Sequence, residues 1–257
     1  MHPSQSNQPM DSQFALLKQR RFAPFFWTQF CGAANDNLLK IALTIMLTYQ
    51  FEVSWLAPNI AGLVIGAVFI APFLIFSATS GQIADRFEKH TLMVWVKRIE
   101  VFIMLLATVG LISAQFPLLL GCIFFMGLHS TVFGPVKYAY LPQILNEREL
   151  TGGNGLVEMG TFVAILLGNI LGSLLIAQPT YGAQLVSLAC LVLAIIGWRC
   201  ASRIPQTAAS TPSLKINLNP WSETYHTLRL ARENIVVFRS LLGISWLWFF
   251  GALFLSQ

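Results

Sequence analysis

Residues 24–49 read PFFWTQFCGAANDNLLKIALTIMLTY, an apolar run with Asn35, Asp36, Asn37 and Lys40 set into it. A bilayer core takes roughly 20 apolar residues per helix, so this run is long enough to cross one. Asp36 lies fifteen residues past Arg21, which at 1.5 Å per residue is about 22 Å and close to the midplane. A charge at that depth costs about 2.5–3.5 kcal/mol on insertion scales, so it needs a partner or a purpose. Two readings follow. Asp36 and Lys40 are four apart on one helix face and form an internal ion pair, with Lys40 partly snorkelling. Alternatively Asn35, Asp36 and Asn37 offer oxygen ligands and a titratable carboxylate to a cation or polar headgroup in a wet cavity. Amides on both sides of the carboxylate favour the second.

Outward from this run the chain repeats the pattern. Further apolar blocks fall at 59–80, 92–113, 117–139, 154–177 and 181–199, and a seventh opens after Arg239 and is still running at Phe254 and Leu255. The 257 residues are 55% hydrophobic and only 11% charged, with a mean hydropathy of +0.64. Soluble domains carry about 25% charged residues, so this composition excludes an ordinary soluble globule, and its apolar mass excludes a disordered chain. The fold class is all-α and polytopic. The expected organisation is a tail over 1–21, a six-helix bundle over 22–200, a linker over 201–238 and the truncated start of a second half over 239–257. Six spans, a long basic linker and a seventh span match the layout of transporters built from two six-helix halves.

Placement of the basic residues sets the expected orientation. Fifteen of the sixteen Lys and Arg, all but Lys40, lie before the first span, around the second-to-third turn, after the fourth span, or between the sixth and seventh. The opposite loops carry only Glu52. By the positive-inside rule the basic face and the amino terminus are cytoplasmic. The formal charge of +5 is thus a topology signal, and a nucleic-acid footprint is excluded. No small-residue cleavage site follows the first block, so it stays as a helix. Cys31, Cys122, Cys190 and Cys200 fall within or at the inner edge of spans and are expected as thiols.

Three more ionisable residues fall inside apolar blocks. Glu100 and Glu158 sit one to two turns inside the third and fifth spans, near enough to the inner interface to be hydrated or to pair with Lys97, Arg98 or Lys137; ordinary inner-rim electrostatics accounts for Glu100 and leaves Glu158 open. His129 reads as a neutral histidine bonded to a neighbouring helix, not as a site. Gly160, Ala164, Gly168 and Gly172 recur every fourth residue and form a stripe without bulk that lets two backbones approach closely. Tight packing is its first reading, and a smooth face turned toward a second half is the functional extension. No G-x-S-x-G, P-loop or paired metal-ligand spacing is present, so neither enzyme chemistry, a cofactor nor a metal is expected.

Between the second and third blocks stands GQIADRFEKH, residues 81–90. Alone it reads equally as a solvated charge run or a latch. These residues resemble the G-x-x-x-D-R/S-x-x-K/R loop of the major facilitator superfamily, which implies that Gly81, Asp85, Arg86 and Lys89 gate the inner side; Glu88 takes a place the general pattern gives to Gly. A narrower resemblance rests on AANDN at 33–37, GPVKY at 134–138 and NGLVE at 154–158. With the loop, these are similar in kind and order to bacterial inner-membrane lysophospholipid transporters. That resemblance covers residues 25–200 and implies that Asp36, Asn35, Asn37, Lys137 and Glu158 handle a lysophospholipid such as lysophosphatidylethanolamine, or a coupling cation, Na+ or H+, during alternating access. The ammonium and phosphate of such a headgroup match a carboxylate and a lysine in sign. Lys40 adds positive charge beside Asp36 and weighs against sodium. Implied partners are membrane lipids and a C-terminal transmembrane half. The alternatives are a superfamily carrier of another small solute, or the membrane module of a fused phospholipid acyltransferase.

Overall fold

The computed structural model describes residues 13–51, 53–217 and 219–255; Glu52 and most of the amino-terminal tail lie outside the described residues. Six long helices build the bundle: α1 Ala23–Ile45, α2 Ala61–Arg86, α3 Lys89–Ile112, α4 Phe116–Ile144, α5 Glu147–Ile176 and α6 Gly182–Ala201. Two more follow, α7 Pro220–Glu233 and α8 Ile235–Leu255, so helical structure occupies part of the stretch read as linker. The described residues contain no strand beyond one isolated bridge between Val53 and Leu56.

Caps explain where the helices begin. Pro24 and Pro117 sit in the first turns of α1 and α4, where a missing N–H costs nothing. Asn146 caps α5 in a reciprocal box with Glu149, satisfying two backbone donors at once. Arg21 fastens this corner: its Nη2 meets Glu149 Oε1 at 2.5 Å and its Nη1 donates to the Ile144 carbonyl at 2.5 Å. These polar turns carry α4 and α5 beyond the apolar blocks at 117–139 and 154–177.

α1 packs on α5 and α6, α3 on α4 and α6, and α2 on α4. The small stripe of α5 decides the first contact. A Cβ on Gly168 would stand 2.4 Å from the Ala34 carbonyl oxygen, and one on Gly172 would stand 2.7 Å from that of Leu38. Gly160, Ala164, Gly168 and Gly172 are all buried. The stripe therefore seats α1, and the extension that turned it toward a second half is overturned. Gly127 does the same for α2 and α4, with a built Cβ 2.1 Å from the Phe69 carbonyl oxygen.

The interior separates into two apolar cores. One gathers Leu38, Leu43, Met104, Leu119, Ile123 and Cys190; the other gathers Phe22, Phe25, Met93, Tyr140, Leu156 and Val157. On α1, α3 and α4 alike, buried polar residues fall between them, with Lys89 at the start of α3 lying outside this layer. Outward faces are apolar instead, with Ile99, Phe102, Leu105 and Val109 of α3 and Leu166, Ile170 and Leu174 of α5 exposed. Among the described residues four helical segments, Pro58–Arg86, Phe116–Ile144, Glu147–Ile176 and Gly182–Ala201, are long and apolar enough to cross a membrane. α1 and α3 carry the interior's charge.

After α6 the chain folds back across the Arg21 end of the bundle as a strap. Thr207 N–H donates to Glu88 Oε1 (3.0 Å) and Lys89 Nζ to Ser210 Oγ (2.9 Å). Thr211 N–H donates to the Asp85 carbonyl (2.8 Å) and Asn217 N–H to Gln82 Oε1 (2.7 Å). α7 then lies against α2.

Candidate functional site

Lys97 and Glu100 of α3 are three residues apart and both fully buried, with Nζ 2.6 Å from Oε2. Asn35 Nδ2 donates to Glu100 Oε1 at 2.8 Å, and His129 Nε2 lies 3.1 Å from Oε2. One carboxylate thus gathers groups from α1, α3 and α4. An ion pair withdrawn from water repays its desolvation only with such additional hydrogen bonds. Room for the ammonium comes from Gly32, where an added Cβ would sit 2.3 Å from Lys97 Nζ. The Phe133 ring, its centroid 5.2 Å from Nζ, closes another side. Glu100 is therefore not at a hydrated rim, and Lys97 is not part of the charge lining the membrane edge. His129 stands against the cluster as well, its Nε2 buried and close to Glu100 but without a hydrogen bond.

Asp36 is bound from α4. Ser130 Oγ donates to Asp36 Oδ2 at 2.7 Å and lies 3.3 Å from His129 Nδ1. The second carboxylate oxygen, Oδ1, is buried without a hydrogen-bond partner, as is Asn35 Oδ1. The internal pair with Lys40 does not form among the described residues: the Lys40 ammonium stands 4.1 Å from the Phe69 ring centroid instead. Asn37 turns back on its own helix and donates to the Ala33 carbonyl (2.8 Å). Of the three residues read as one ligand group, Asn35 joins Glu100, Asp36 joins Ser130, and Asn37 joins neither.

Lys137 and Glu158 meet across α4 and α5 at 3.4 Å. Tyr138 donates its hydroxyl to the same Glu158 oxygen, and the Lys137 ammonium lies 4.6 Å from the Tyr138 ring centroid. This second station does not touch Asp36. Ser130 and Lys137 are seven residues apart, however, so they share one face of α4 about 10 Å apart along its axis. Pro135 stands inside the helix between them, where its ring removes a backbone hydrogen bond. The arrangement is an acid-and-hydroxyl station and a lysine station on one face, separated by a breakable turn.

The 81–90 motif is more helical than its loop reading. Gly81 to Arg86 form the last turns of α2, and only Phe87 and Glu88 interrupt the helix before α3. Glu88 caps α3, accepting from the N–H groups of His90 and Thr91 and from that of Thr207 in the strap. Partial burial pushes the Glu88 carboxyl up, but these donors outweigh it and hold it below the usual glutamate range. Asp85 and Arg86 are exposed; Asp85 enters the strap contact through its backbone, and Arg86 stands over the Phe87 ring. Lys89 is buried on Ser210. Position 88 is thus occupied by a residue whose carboxylate both starts a helix and holds the strap, two tasks a glycine cannot perform.

The sequence profile of the Major Facilitator Superfamily matches residues 25–257. The chain belongs to that superfamily. Its apolar helices and outward apolar faces are those of a multi-pass membrane protein of this transporter class. The chain is also similar to the lysophospholipid transporter LplT of Escherichia coli strain SE11, with 31% identity over 191 residues, 74% of this chain and 44% of the relative. The proteins of that name in Escherichia coli K12/DH10B and in Shigella boydii serotype 18 match to the same extent. The chain spans less than half the length of these relatives. Major facilitator membership points to a transporter rather than an enzyme.

Sequence reasoning read Glu100 as inner-rim electrostatics with Lys97 among its possible partners and His129 as no site, and it passed over Ser130; the structure places all four in the buried interior. Their signal was periodicity: Met93, Val96, Lys97, Glu100, Ile103, Met104 and Ala107 form one buried stripe of α3. The 3.6-residue period places Lys97 inward and its neighbour Arg98 elsewhere.

Proposed function

We propose that this chain is the amino-terminal half of a carrier that moves lysophospholipids across a bacterial inner membrane by alternating access, with its amino terminus in the cytoplasm. Likeness to LplT over 191 residues supports the cargo class. The observation that carries the reading is the pair of polar stations on one face of α4, Asp36 with Ser130 and Lys137 with Glu158. A zwitterionic headgroup brings an ammonium and a phosphate. The Asp36 carboxylate matches the first, and Lys137 matches the second once the phosphate displaces Glu158 from a contact as loose as 3.4 Å. Asn35 and Asn37 flank the acid as neighbouring amides. A second six-helix half completes the cavity, and membrane lipid supplies the cargo.

Gly81, Asp85, Arg86 and Lys89 form the cytoplasmic latch in this reading, with the strap over residues 207–217 as its counterpart on this chain. A cation coupled to transport binds at Asp36.

Full-length carrier reconstituted in liposomes tests the reading through inward movement of labelled lysophosphatidylethanolamine. Asp36→Asn and Lys137→Ala each slow it at least about tenfold, the loss that about 1.4 kcal/mol of headgroup interaction produces. Unchanged rates in both variants remove these residues from the transport path. Competition by small polar solutes, with none by lysolipid, reassigns the cargo.

A further inference from the structure

One face of α1 is left open by its neighbours. Ala34 and Leu38 meet the small stripe of α5, and Cys31 faces Gly197 of α6. Asn35 and Asp36 are held from α3 and α4. On the remaining face Ala33, Asn37, Lys40 and Thr44 follow one another at helical spacing, and all are partly exposed. Three of these four are polar, whereas the outward faces of α3 and α5 are apolar. A polar face at membrane depth borders protein or a water-filled cavity rather than lipid.

Lys40 stands on that face as a cation without an anion. Its ammonium lies 4.1 Å from the Phe69 ring centroid, and no carboxylate among the described residues comes within ion-pair distance of it. A ring face attracts an ammonium but offers its N–H groups no oxygen. Asn37, one turn away, spends one of its two amide hydrogens on the Ala33 carbonyl and keeps the other. Asp36 supplies the converse, since its Oδ1 is buried without a partner. Two opposite charges thus stand four residues apart, about 6 Å along the helix, without forming a pair. Phosphoethanolamine carries the same two charges, separated by two methylene groups.

We propose that Lys40, with the unspent amide hydrogen of Asn37, binds the phosphate of the cargo at an outer station, one turn from the Asp36 carboxylate that takes the ammonium. The inference rests on the lysophospholipid reading and gives the phosphate two successive lysines. Lys40 is four residues farther from the Arg21 end than Asp36, hence on the outer side in the orientation proposed above. Lys137 lies about 10 Å to the inner side of Ser130, the partner of Asp36. The ammonium holds at Asp36 while the phosphate passes from Lys40 to Lys137, which reverses the direction of the headgroup across the midplane. Before cargo arrives, the Phe69 ring gives the Lys40 ammonium a resting place away from Asp36.

Full-length carrier in liposomes tests the station through initial rates of inward movement of two cargoes. Lysophosphatidylethanolamine carries both charges, and lysophosphatidylglycerol keeps the phosphate but lacks the ammonium. Lys40→Gln is expected to raise KM for both about tenfold, the loss of one charge-assisted contact, with kcat retained at saturation; Lys40→Arg restores KM. An unchanged KM in Lys40→Gln, a rise confined to the ethanolamine cargo, or a fall in kcat alone overturns the proposal. A second arm needs no transport: thermal unfolding of the full-length carrier in micelles with glycerophosphoethanolamine or glycerophosphoglycerol, the headgroups without acyl chains. Wild type and Lys40→Arg are expected to gain stability from either compound, and Lys40→Gln to gain less. Equal gains in wild type and Lys40→Gln, or none in wild type, overturn the phosphate station. Lysolipid movement with equal gains refutes the role of Lys40 alone. A gain that depends on Lys40, in a protein that moves no lysolipid, supports the station and refutes the cargo.

Discussion

Replacing Glu100 with leucine removes the acceptor shared by Lys97 and Asn35 and the carboxylate beside the His129 ring. The Lys97 ammonium is then a buried charge without a counter-ion, and breaking a buried pair from one side costs about 3–5 kcal/mol. Asn35 also loses its acceptor, a further loss of about 1 kcal/mol. Lys97→Met is expected to be milder. Glu100 keeps the Asn35 donor, and the His129 ring still stands beside it. Combining Lys97→Met with Glu100→Leu removes the uncompensated ion and recovers most of the loss, leaving the orphaned Asn35 donor at about 1–3 kcal/mol. Reversible unfolding of the full-length protein in mixed micelles, read as a double-mutant cycle, measures these differences. A coupling energy near zero, or a cost below about 1 kcal/mol for Glu100→Leu, shows that residue 100 is hydrated and refutes the buried cluster.

Gly168→Leu drives a branched side chain into the Ala34 backbone, where even a Cβ would stand 2.4 Å from the carbonyl oxygen. Overpacking of this kind costs typically about 1–3 kcal/mol, so the variant is expected to unfold earlier in a thermal melt; an unchanged midpoint separates α5 from α1. Glu88 has its carboxyl held below the unfolded value, so its contribution is complete above the ordinary glutamate pKa of about 4.3 and is lost as pH falls through the lower folded value. Limited proteolysis near Thr207 therefore accelerates on acidification through and below that range. Glu88→Ala, at a cost of about 0.5–2 kcal/mol for the cap, makes cleavage fast at every pH; a pH-independent wild type contradicts the clasp.

The apolar blocks made most of the bundle legible. α2, α4, α5 and α6 are apolar by length and composition alone, whereas the ends of α4 and α5 are set by Asn146, Glu149 and Arg21, which hydropathy counts as loop. At the site, Asp36 and Lys137 stood out because each interrupts an apolar run. Glu158, the partner of Lys137, stood out by the same sign, while Ser130, the partner of Asp36, and the buried role of Lys97 did not. Lys97 and Arg98 are adjacent in sequence and identical in a charge count, and only the azimuth around α3 separates one pointing at Glu100 from one near the Trp95 ring. Asp36 and Lys40 share a spacing that invites a pair, yet Ser130 and Phe69 from neighbouring helices offer each a better neighbour. Tertiary competition of that sort has no trace in local spacing.

The buried polar layer between the two cores also bears on how the chain enters a bilayer. Asn35 and Asp36 emerge from the ribosome some sixty residues before Glu100 and about ninety before Ser130, so α1 has neither partner when it first meets lipid. At about 2.5–3.5 kcal/mol for a central acid, the first helix is a poor candidate to partition alone. It is expected to linger at the insertion machinery until α3 and α4 arrive, so that integration is a collective step completed late in synthesis. Crosslinking of nascent chains to the translocon, released only after α4 is made, is the signature of that delay; release straight after α1 contradicts it.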